Sequence, residues 1–187
     1  LRYADLSGLD TPNITNLYQA FSFSSSIEYV DLSGWDVSNV TNMEGTFYGC
    51  PNLKSLNISG WDIKDGVTTY LIIGASTNLK YITLKNMPSA KTLKDLLYSM
   101  RYGGNTSRTI DVSNLNILPN ETSLSNMFTT PKVAKIVGLG TWDTSNITDM
   151  SSVFKGSSGL QSVEGIDKWN TDRLQSMENM FEGCSSL

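Results

Sequence analysis

The sequence predicts an α/β solenoid: a right-handed parallel stack of coils, each made of one short strand and one short helix. Three observations predict it. One repeat runs through all 187 residues. Apolar residues alternate in the first part of each repeat, and recur every three or four residues in the second. The residue that opens each unit falls at Leu1, Ile27, Leu53, Leu79, Ser107, Val133, Leu160 and Leu187, with spacings of 26, 26, 26, 28, 26, 27 and 27. The chain therefore reads as one solenoid of seven units, 1–26, 27–52, 53–78, 79–106, 107–132, 133–159 and 160–187.

The strand comes first in each unit. Leu53, Leu56, Ile58 and Trp61 show its pattern, as do Ile27, Val30, Leu32 and Trp35. Such alternation buries one face of a short strand, and seven of them should form a single sheet. Units six and seven carry an extra residue around Gly138 and Gly165, which suggests a bulge-like adjustment. Val40, Met43 and Phe47 then form one apolar stripe, repeated at Ile147, Met150 and Phe154 and at Leu174, Met177 and Phe181. That spacing predicts one or two helical turns. Thr41 and Glu44 have capping-box spacing, Thr15, Thr148 and Ser176 occupy the same place, and Gly49, Gly156 and Gly183 read as helix stops. Unit four should hold the longest helix, from Ala90 to about Tyr102, capped by Ser89, ended by Gly103-Gly104, with Leu93, Leu96, Leu97 and Met100 inward.

Composition excludes several functions. Ser, Thr and Asn make up nearly a third of the chain, and there is no histidine, which removes His-dependent catalysis and His-containing metal sites. Fourteen Lys and Arg against 18 Asp and Glu give a net charge of -4, the wrong balance for a nucleic-acid partner. No apolar run approaches the roughly 20 residues of a membrane helix. Neither a signal peptide nor a starting Met is present, and both ends stop in phase without a polar capping unit. A longer native array is therefore expected.

The L-x-x-L-x-L skeleton resembles that of a leucine-rich repeat. Two strings, LSGWDVSNVTNMEGTFYGCPNL (Leu32 to Leu53) and WDTSNITDMSSVFKGSSGL (Trp142 to Leu160), resemble the BspA-like repeats of bacterial surface proteins. That resemblance implies export, a bacterial cell-surface or extracellular location, and attachment to host or matrix components. It carries over no binding residues, because the matching motif is scaffold.

Candidate sites are few. Cys50 and Cys184 share a slot five units apart, roughly 24 Å at one strand spacing per coil, too far to form a disulfide. The column Asp10, Asp36, Asp62, Asn116, Asp143 and Asn170 follows each strand stretch, where a short polar side chain stabilises a turn. A calcium solenoid would instead show paired Asp and many glycines within one unit. Six N-x-S/T sequons, at Asn13, Asn39, Asn57, Asn105, Asn120 and Asn146, arise largely from the repeat itself.

Two features could bind a partner. Tyr3, Tyr29 and Tyr81 should face outward from the strands beside Asp5, Asp31, Asn57 and Asp111, and tyrosine supplies contact area at low entropic cost. Between residues 80 and 108, Lys80, Lys85, Lys91, Lys94, Arg101 and Arg108 face Asp95 alone. Such a basic window could meet an acidic protein or anionic glycan. The expected function is a non-catalytic, cofactor-free and metal-free surface module, monomeric, binding a protein or glycan. The alternative is a spacer that presents another domain. A glycan-active enzyme using Asp5 and Asp31 is a third reading, though Asn57 and Thr83 on the next rungs make the column look like a polar ladder.

Overall fold

The computed structural model describes residues 1–100, 107–129 and 133–187. Six short parallel strands form one sheet in chain order: β1 Tyr3–Asp5, β2 Tyr29–Asp31, β3 Ser55–Asn57, β4 Tyr81–Thr83, β5 Arg108–Asp111 and β6 Val133–Val137. Tyr3 pairs with Tyr29, Tyr29 with Ser55, Ser55 with Tyr81, and Tyr81 with Thr109, so each coil lies directly on the previous one. The expected seventh strand is reduced to a single bridge, Lys135 to Ser162. The register slips by one residue between Arg108/Thr109 and Val133/Lys135, upstream of the glycine that suggested a bulge. Gly138 and Gly165 instead begin 3-10 turns, Leu139–Thr141 and Ile166–Lys168, with φ of 95° and 96°. Glycine is required at both. A Cβ on Gly138 would lie 2.6 Å from the Ser113 backbone, and one on Gly165 would lie 2.6 Å from the Gly140 nitrogen.

The central residues of β1 to β4 point inward, as do Ile110 of β5 and Ile136 of β6, and the coils share one elongated core. Leu53, Leu56, Ile58, Trp61, Leu79 and Leu84 are fully buried. Each tryptophan ties its coil to the one before: the indole N–H of Trp35, Trp61, Trp142 and Trp169 donates to the carbonyl of Leu6, Leu32, Val112 and Leu139 at 2.8–3.0 Å. Aromatic columns run along the stack. Phe128, Phe154 and Phe181 follow one another at 5.5 and 5.3 Å, and Trp142 stacks on Trp169 at 5.8 Å.

The second half of the units departs from expectation. Among the described residues the one α-helix is α1, Ala90–Ser99 in unit four. Elsewhere the apolar stripe is built from successive tight turns. In unit two the N–H groups of Met43, Gly45, Phe47 and Gly49 donate sideways to Thr68, Tyr70, Ile72 and Gly74 of unit three, while Thr46 and Tyr48 donate back to Met43 and Gly45. A helix directs its N–H groups along its own axis, so it cannot make this lateral ladder. Positive φ at every fourth residue bends the chain into the turns: Gln19 and Phe23, Gly45 and Gly49, Leu71 and Ala75, Ser152 and Gly156, Asn179 and Gly183. Thr41 and Thr148 accordingly do not cap helices; their hydroxyls donate to Thr15 and Thr122 of the preceding coil, both at 3.2 Å.

Helix α1 interrupts this ladder. Bridges link Asn16, Asn42 and Thr68 on one side of it and Ser123, Asp149 and Ser176 on the other. Ser89 caps α1 as expected, its hydroxyl accepting the Thr92 N–H at 3.0 Å, and Leu93, Leu96, Leu97 and Met100 are buried. Gly103-Gly104 lie outside the described residues.

Candidate functional site

The sheet register fixes the outward columns. Tyr3, Tyr29, Ser55, Tyr81, Thr109 and Lys135 form one; Asp5, Asp31, Asn57, Thr83, Asp111 and Val137 form the next. Tyr3, Tyr29 and Tyr81 are 60%, 41% and 55% exposed. The rings of Tyr3 and Tyr29 lie 6.1 Å apart, tilted by 43°. Beside them runs a charged rung: Glu28 sits between Arg2 and Lys54, 2.5 and 2.7 Å away, and these cations hold its carboxyl below the usual range, the Lys54 hydrogen bond most of all. The structure thus brings the three tyrosines onto one face.

The aspartates beside them are engaged internally. Each carboxylate accepts both the N–H and the hydroxyl of the serine two residues on: Ser7 for Asp5, Ser33 for Asp31, Ser113 for Asp111. Asn57 does the same with Ser59. The second oxygen of Asp31 accepts the Asn57 amide at 2.9 Å, and that of Asp111 faces Lys85 at 3.1 Å. Partial burial opposes charge on Asp31 and Asp111, but these donors outweigh it and both carboxyls stay below the usual range. The column is a ladder of turns that closes the strand end of each coil.

The lysines of the basic window do not form one patch. Lys85 follows β4 and pairs with Asp111. Lys91, on α1, contacts Asp65 at 2.6 Å and Asp95 at 2.8 Å, which raises its pKa. Lys94 donates to the Ser125 carbonyl at 2.6 Å, supplying a donor where the helix interrupts the ladder. Arg108 is buried, and burial pulls it down to about 10. Arg101 lies outside the described residues, as does the Asn105 sequon.

The cysteines share their slot with serine. Cys50 and Cys184 donate to the carbonyls of Phe21 and Phe154, both at 3.0 Å, while Ser76 donates to Phe47 at 2.7 Å and Ser157 to Phe128. Burial pushes both thiols up. In the acidic column that follows the strands, Asp36, Asp143 and Asn170 accept the N–H two residues on at 2.9–3.0 Å. Asp62 pairs with Lys64, and Asn116 donates to Pro88 at 3.0 Å. Among the described residues no group of three or more potential metal ligands is gathered, and no helix is long and apolar enough to cross a membrane.

Sequence reasoning missed Glu121. Its carboxylate reaches from unit five to the N-terminus of α1, accepting from Ala90 and Lys91 at 3.1 and 3.0 Å. The only available signal was an acid in the coil after a helix start.

Coils paired in register, with the same carboxylate–serine turn and tryptophan bond recurring along the stack, define a solenoid repeat protein. The chain belongs to the family described as Mycoplasma protein of unknown function, DUF285, whose model matches residues 2–99 and 122–187. That description points to a bacterial origin. The unmatched stretch begins at the end of α1, where the unit is lengthened. No curated protein and no solved structure matches the chain.

Proposed function

We propose that this chain is a non-catalytic binding module on a bacterial cell surface, attaching to a host or matrix protein or glycan through the strand face. The observation that supports this reading is the column of Tyr3, Tyr29 and Tyr81, held in register on a rigid sheet and left exposed. Large aromatic rings presented without much rotamer freedom bind at low entropic cost. The resemblance of the sequence motifs to leucine-rich and BspA-like repeats supports export and attachment. A non-catalytic role is supported by Asp31, whose two oxygens are taken up by Ser33 and by the Asn57 amide of the next coil and whose carboxyl lies below the usual range. A general acid needs the opposite shift.

The test is binding of immobilised host and matrix components by the native chain and by Tyr29→Ala and Tyr81→Ala. Binding should weaken in the variants while thermal stability stays nearly unchanged; unaltered binding removes this face. The spacer reading is favoured by a different observation, the internal use of Asp31 and Asp111. It predicts no binding by this chain alongside activity in a neighbouring domain.

A further inference from the structure

Across the core from the sheet, the turn segments of the first three units form a second surface. In residues 15–25, 41–52 and 67–78 the sole charged side chain is Glu44; the rest is apolar or aromatic, with Ser, Thr, Asn and Gln. The ladder places Tyr18, Glu44 and Tyr70 at equivalent positions of consecutive coils, because Gln19 N–H donates to Glu44 and Gly45 N–H to Tyr70, both at 3.0 Å. Adjacent coils are about 4.8 Å apart. Tyr18 and Tyr70 are 50% and 55% exposed, and Phe23 is 67% exposed.

Phe23 and Tyr48 meet edge to face, with centroids 5.6 Å apart. Two glycines let these rings settle on the next coil. A Cβ on Gly49 would lie 2.9 Å from the Phe23 ring, and one on Gly74 would lie 2.8 Å from the Tyr48 ring. Phe23 and Tyr48 therefore form a platform positioned before any ligand arrives, which lowers the entropic cost of binding.

The chemistry of this face narrows its occupant. With no Lys or Arg in the three segments it cannot neutralise phosphates or sulfates. Its exposed polar groups are uncharged: the hydroxyls of Thr15, Ser25, Thr41 and Thr68 and the amides of Asn16 and Gln19. What suits spaced aromatic rings set among uncharged hydroxyls and amides is a ligand with apolar C–H faces and neutral hydroxyls of its own. We propose that this face binds a neutral, extended oligosaccharide running along the solenoid from Tyr18 to Tyr70. Phe23 and Tyr48 stack against sugar rings, and Glu44 accepts sugar hydroxyls. This site lies apart from the tyrosines of the sheet and does not depend on their role.

The test is calorimetric titration of the native chain with cellohexaose, chitohexaose and a sulfated hexasaccharide. At least one neutral hexasaccharide should bind. Tyr48→Ala and Tyr70→Ala should each weaken that binding about tenfold, with melting temperatures recorded to confirm folding. Gly74→Ala keeps every aromatic residue but crowds the Tyr48 ring, so it should weaken binding too. Tyr81→Ala, on the sheet, should leave it unchanged. Absence of binding to both neutral probes, binding confined to the sulfated one, or equal loss in Tyr81→Ala and Tyr48→Ala would overturn the proposal.

Discussion

Glu121 of unit five closes the start of α1 in unit four: its carboxylate accepts the N–H of Ala90 at 3.1 Å and of Lys91 at 3.0 Å. A third donor, the N–H of Leu118, meets it at 2.7 Å and holds it in place. With Ser89 serving Thr92, the exposed donors of the first helical turn are met from two coils. Glu121→Ala should cost about 1–2 kcal/mol in urea unfolding, and Glu121→Gln less. An unchanged midpoint for Glu121→Ala would show that the helix start does not need this cap.

Trp61 is fully buried, and its indole N–H is bonded to the Leu32 carbonyl at 3.0 Å. Trp61→Phe keeps the aromatic packing but removes the stronger of that carbonyl's two donors, leaving the Trp35 backbone N–H at 3.3 Å. A loss of about 1 kcal/mol is expected, read as a lower melting temperature. A smaller change would mean that the tryptophan column acts by volume alone.

The cysteine slot needs a donor, not sulfur chemistry. Serine occupies the equivalent position at Ser76 and bonds the same kind of carbonyl. Cys50→Ser should therefore be nearly neutral, whereas Cys50→Ala should destabilise by about 1 kcal/mol. Equal stability of the two variants would remove the hydrogen bond as the reason for this residue.

Acid should unfold the stack through its carboxylate turns. Asp31 and Asp111 have folded pKa values below the usual range, so the unfolded chain takes up protons first as pH falls. Their stabilisation is fully present above about pH 5, about one unit above the ordinary aspartate value, and is lost as pH falls through the folded values. The melting temperature should be flat from neutrality to about pH 5 and fall below that. Asp31→Asn with Asp111→Asn should flatten the acid limb, since Asn57 shows that an amide can hold the same turn. An acid limb unchanged in the double variant would place the sensitivity elsewhere.

Six of the seven expected strands, the stacking of the first five and the buried tryptophans were legible in the sequence because a period of two leaves little choice of inward face. Helix α1 was legible for a similar reason: Leu93, Leu96, Leu97 and Met100 extend long enough to define a helical period, and Ser89 marks its start. The shorter stripes were not. Val40, Met43 and Phe47 fit a helix of 3.6 residues per turn and equally fit tight turns that reverse every four. The distinguishing signal was Gly45 together with Gly49, both at positive φ. Gly49 alone reads as a helix stop. The tyrosine column and the polar ladder of Asp31 and Asn57 were legible from strand alternation, while the partners of Lys91 and Lys94 were not. Asp65 and Ser125 lie in neighbouring coils and meet these lysines only through the stacking.

The stacking itself is tested most directly by distances between spin labels placed along one outward column. In a Cys50→Ser, Cys184→Ser background, labels replacing Tyr3 and Thr109 should lie four rungs apart, about 19 Å, and labels replacing Tyr3 and Lys135 five rungs apart, about 24 Å, at one strand spacing per coil. A steady increase of about 5 Å per coil supports the parallel stack; equal distances for the two pairs, or a shorter one for Lys135, would contradict it.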